Sequence, residues 1–136
     1  MSDKSKFVIE ATIAQGFDAL LERVPDALKA EGFGVLTEID IQATLKKKLD
    51  VDFRRYRILG ACHPPSAHKA LSADLNVGAL LPCNVLVYEV DDGHSVVAAI
   101  DPMAAIADLS DDPTIGEVAS DVKARLERVV QSLSNA

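Results

Sequence analysis

The sequence predicts an α/β (α+β) two-layer sandwich: one mainly antiparallel sheet of about five strands with helices on one face. Two observations lead there. Short alternating or β-branched runs recur five times, each bounded by turn or cap signals, with helical stripes between several of them. The strands and helices do not reach the regular βαβ alternation of a parallel nucleotide-binding sheet. With 136 residues the chain suits a single domain, residues 1–136, and is short for two cores.

Phe7 to Ile13 alternates as a strand should. Phe17, Leu20, Leu21, Val24 and Leu28 then form one apolar stripe at helical spacing, stopped by Gly32. Pro25 lies inside that stripe, where it removes a backbone bond, so a kink or a helix in two pieces is expected. Phe33 to Asp40 reads as the second strand, with Asp40 capping a short helix through Leu49. Tyr56 to Cys62 is the third strand. Ser66 to Leu75 follows as a helix with Ala67, Ala70, Leu71 and Leu75 inward.

Cys83 to Val90 is the strongest strand, and "DDGH" turns it into Ser95 to Ile100. Asp101–Pro102 and Asp112–Pro113 each give an N-cap followed by a first-turn proline, although Thr114 with Glu117 competes as a capping box. The last helix buries Ile115, Val118, Ala119, Val122, Leu126, Val129 and Leu133. Asp108 to Asp112 reads as a solvated acidic turn. Helices enough for one sheet face leave the other to a partner, and a second copy of the chain is the simplest one.

Composition narrows the function. Hydrophobic residues are 49% and charged residues 26%, a globular balance. With no Trp and 4% aromatics, the core must come from Val, Ile, Leu and Ala. A net charge of -7 argues against nucleic acid or an anionic membrane as partner. No targeting segment is visible, and the longest apolar run falls far short of the ~20 residues that span a bilayer. Two cysteines do not make a disulfide framework, so a cytoplasmic protein with reduced thiols is expected.

Three blocks carry a resemblance: "GFGVLTEIDIQATLKKKL" (residues 32–49), "YRILGACHPPSAHKAL" (56–71) and "GALLPCNVLVYE" (78–89). With "IDPMAAIAD" and the final helix, they resemble the bacterial and archaeal family catalogued as domain of unknown function 302. The resemblance implies a small two-layer α/β domain, commonly a homodimer. It implies no activity, since none is assigned to the family.

Cys62, His63 and His68 are ligand types for zinc, copper or haem iron, but their spacing matches no standard closed zinc site. A four-ligand site would need Cys83 or a second subunit. The structural alternative is a buried strand-end cysteine and two helix-border histidines. The reading adopted is a homodimeric module, not an enzyme, that binds a small anionic molecule, a metal or a haem at Cys62, His63, His68 and Cys83; the cofactor itself is not identifiable. The alternatives are a thiol-dependent enzyme or redox protein using Cys62, with or without Cys83, and a structural dimer without ligand. If the third and fourth strands pair antiparallel, Cys62 and Cys83 meet at one sheet edge; if parallel, they sit at opposite ends. Lys46, Lys47, Lys48, Arg54, Arg55 and Arg57 form a basic cluster, read first as a dipole-complementing helix end and second as an anion patch or dimer rim.

Overall fold

In the computed structural model, residues 7–106 and 111–135 are described. The order is β1 (Val8–Ile13), α1 (Phe17–Ala30), β2 (Gly34–Asp40), α2 (Ile41–Leu49), β3 (Tyr56–Cys62), α3 (Pro64–Ala73) and a 3₁₀ segment (Leu75–Leu80). Then come β4 (Cys83–Asp91), β5 (His94–Ile100), α4 (Pro102–Ile106) and α5 (Pro113–Ser134). The five strands form one sheet in the order β1-β5-β4-β3-β2, and every pairing is antiparallel.

The pleat sorts the side chains by parity. Strand residues in the cluster packed against the helices carry odd numbers: Ile13, Leu59, Ala61, Val85, Val87, Val97 and Ala99. They pack against Leu20, Val24 and Leu28 of α1 and Val122, Leu126, Val129 and Leu133 of α5. Even-numbered positions of β1, β3, β4 and β5 form the opposite face, where Tyr56 stacks on Tyr88 at 5.4 Å and Ile58 pairs with Leu86, and the irregularity between Val35 and Thr37 puts Ile39 of β2 across from Ile58 there. The helices that build the core do not reach that face.

Local chemistry sets the helix ends. Gly32 takes φ +87°, and the N–H groups of Gly32 and Phe33 donate to Lys29 O and Leu28 O, both at 3.0 Å. That is a Schellman end, closed by the buried pair Leu28 and Phe33. Asp40 caps α2 by accepting from Ala43 N at 2.9 Å. At α5 the Asp–Pro start prevails over the capping box: Asp112 Oδ1 accepts from Thr114 N at 2.8 Å. The burial expected of the last helix holds, with Val118 only half-buried and Val130 added.

Two local expectations need correction. α1 runs as one helix through Pro25 and is not in two pieces; Pro25 lies on its exposed face, so the lost backbone bond is on the solvent side. α3 starts two residues early, at Pro64, and ends at Ala73, because Asp74 caps a new 3₁₀ segment by accepting from Asn76 N at 2.9 Å. Leu75 therefore leaves the helix and stands 82% exposed instead of inward. Of the expected acidic turn, residues 108–110 lie outside the described residues.

Candidate functional site

The β3–β4 register answers the question of the two cysteines. Ala61 is the partner of Cys83, so Cys62 at the end of β3 lies beside the start of β4. Both thiols are free and half-buried. Cys83 follows Val85 and Val87 on the helix-facing parity, and burial, with a smaller contribution from Cys62, pushes its thiol from 9.0 to about 11.

His63 is the N-cap residue of α3. Its Nδ1 lies 2.6 Å from the Ser66 Oγ, and its ring meets Phe33 edge-on at 5.6 Å. A Cβ on Gly32 would come within 2.9 Å of the imidazole Cδ2, so Gly32 serves the turn and leaves room for the ring. Partial burial and the Arg125 guanidinium hold the imidazole below its usual pKa, against an opposing pull from Asp121. Arg125 is tied down by Nε to Asp121 at 2.9 Å and by a bond to Glu31 O at 3.1 Å. This histidine is a neutral, packed group near pH 7.

Two cavities meet under α3. The first, about 70 Å³, lies between α3, the 3₁₀ segment, α4, α5 and the sheet, and Cys83 carries the sole heteroatom among its side-chain linings. The second, about 40 Å³, adds Phe33, Cys62, His63, Ser66 and Pro82. They share Ala70, Leu81, Cys83, Val118 and Val122. Each is smaller than the roughly 150 Å³ apolar cavity that admits benzene, and far too small for a haem.

Of the four residues expected to form a site, three converge here: Cys62, His63 and Cys83. His68 does not, because it lies on the exposed side of α3. Among the described residues no group of three or more His, Cys, Asp or Glu could hold a metal ion, so the trio Cys62, His63 and His68 is not assembled within one chain. Ser66 was missed by the sequence reading. Its signal was a serine three residues after an N-cap, inside a helix that began earlier than expected.

The basic cluster is largely charge-paired. Lys46 contacts Asp50 at 3.1 Å and Asp52 at 3.4 Å, Arg55 contacts Asp18 at 2.8 Å, and Arg57 contacts Glu38 and Asp40. Arg54 donates to Glu89 O at 3.2 Å. The arginines flank the start of β3, the end away from Cys62, so they make no basic approach to the cysteines.

Among the described residues no helix is long and apolar enough to cross a membrane. Over residues 9–133 the chain matches the family described as "Domain of unknown function DUF302". It is similar to the crystal structure of an uncharacterized conserved DUF302 protein from Bacillus stearothermophilus, with 30% sequence identity and a TM-score of 0.83. That similarity covers 93% of this chain and 98% of the other. No curated protein matches.

Proposed function

The chain belongs to the DUF302 family, whose function is unknown, and from that premise we propose a homodimeric, non-enzymatic module that binds a small apolar molecule beneath α3. The observation that carries this reading is the wall of the larger cavity, apolar throughout except for the Cys83 sulfur. Such a wall favours an apolar guest over the small anion suggested by the sequence, because a desolvated charge there would have no partner. Cys83 supplies a polarizable surface, and its raised pKa keeps it a thiol, which weakens the case for thiol catalysis through that residue.

A second copy is the partner that suits the uncovered sheet face. Around Ile58, Leu86 and the Tyr56–Tyr88 stack, Leu36, Ile39 and Val90 are 65%, 46% and 50% exposed. Side chains of this kind on an open sheet favour association.

Titration with xenon, a single atom smaller than benzene, followed by methyl NMR, tests the cavity. Saturable shifts at Ala70, Val118 and Leu81 are expected in the wild type, and their loss in Ala70→Leu or in the rim variant Ala105→Leu. A wild type without saturable shifts under xenon pressure would sink the reading. Sedimentation equilibrium tests the dimer separately: a mass of 14.5 kDa at micromolar concentration would overturn it.

A further inference from the structure

At the other end of β3, α1, β2, α2 and β3 enclose a polar cleft of about 250 Å³, larger than either cavity under α3. Asp18, Asp40, Arg55 and Arg57 line it with Gln42, so two carboxylates face two guanidiniums and the charged lining sums to zero. We propose that this cleft binds a small zwitterion of the α-amino acid class, whose carboxylate takes Arg55 and whose ammonium takes Asp18.

The two ion pairs in the cleft differ in kind. Arg57 is held by two carboxylates, Glu38 and Asp40, and Asp40 is also the N-cap of α2. That half is framework. Arg55 and Asp18 form a single contact at 2.8 Å between side chains 47% and 82% exposed. An exposed pair of this type contributes about 0–1 kcal/mol, so a ligand can exchange into it at little cost. Arg55 keeps its place when Asp18 moves, because its guanidinium lies 5.9 Å from the centroid of the Phe17 ring.

Charge accounting selects the ligand. A zwitterion's carboxylate replaces that of Asp18 on Arg55, and the released Asp18 accepts the ligand's ammonium. Every charge that was paired stays paired. A simple anion would leave Asp18 unpaired beside it, and a simple cation would do the same to Arg55. Gln42 donates its amide N–H to Phe53 O at 3.0 Å, which steadies the loop leading to β3 and leaves its side-chain oxygen as an acceptor. The volume lies just under the roughly 300 Å³ at which drug-sized sites begin, a scale suited to an amino acid.

The test is an NMR titration of the full chain with glycine and L-alanine, using acetate and methylammonium as single-charge controls. The zwitterions should give saturable shifts at Asp18, Arg55 and Tyr56 in the millimolar range, with each control weaker by about two- to fivefold. Asp18→Asn and Arg55→Gln should each weaken glycine by about two- to fivefold, while Lys47→Gln leaves it unchanged. Both altered residues are exposed, so the variants are expected to fold. Three outcomes overturn the proposal: no saturable shift with either amino acid, acetate binding as tightly as glycine, or undiminished glycine binding by Asp18→Asn.

Discussion

Cys62 lies one register step from Cys83, on adjacent antiparallel strands and on the opposite pleat parity. Ala61, not Cys62, sits directly across from Cys83, so the two Cβ vectors diverge although the strands are neighbours. Both thiols are free, and both line the smaller cavity.

The buried thiol should show in both reactivity and stability. With a pKa of about 11, Cys83 is ionised in only about one molecule in a thousand at pH 8, so thiol titration should find it nearly inert until the protein unfolds. Its folded pKa lies above the unfolded value, so the folded state binds the extra proton between pH 9.0 and about 11. Stability must therefore fall as pH rises through that window, by at most roughly 3 kcal/mol. Denaturant unfolding of Cys83→Ser should have a flatter profile over the same range. An equal slope in both proteins would contradict the assignment.

Gly60 is required by close packing on the sheet face away from the helix-packed core. A Cβ there would collide with the Thr37 Oγ1 and lie 2.7 Å from the Pro82 Cγ. Gly60→Ala should cost about 1–3 kcal/mol, the usual range for overpacking. Adding Thr37→Ala should restore part of that loss, because it removes the nearer obstacle. A double-mutant cycle with no coupling would refute the packing argument.

His63 should make stability sensitive to mild acid. Its folded pKa lies below the unfolded value of 6.5, so unfolded chains bind more protons as pH falls below neutrality. The contribution is present above pH 6.5 and is lost as pH drops through the folded pKa. His63→Gln should remove that slope. The exposed His68→Ala, in contrast, should leave xenon binding unchanged, and its effect on stability should stay within about 0.5 kcal/mol.

Pro25→Ala is expected to stabilise the protein. The residue sits in an exposed helix interior, where proline is about 3 kcal/mol less favourable than alanine. A gain of roughly 1–3 kcal/mol in urea unfolding should follow, smaller than the full figure because alanine also frees the unfolded chain. A loss of stability would show that Pro25 has a packing role.

The sequence by itself determined the elements and their ends, because those depend on contacts a few residues long. Alternation at Phe7 to Ile13, the Asp40 and Asp112 caps and the Gly32 stop are short-range chemistry, and each is found where it was expected. The family resemblance was legible for the same reason, in contiguous blocks. Only tertiary structure decided which groups meet. Antiparallel pairing brought Cys62 beside Cys83, a decision made by long-range strand registry and not by either residue. Packing turned Ser66 inward while leaving His68 in solvent. Arg55 found Asp18 across 37 residues of chain, a pairing that no local pattern encodes. Cavities and ion pairs of that kind arise from the sum of many distant contacts, so they become visible when the layers are packed.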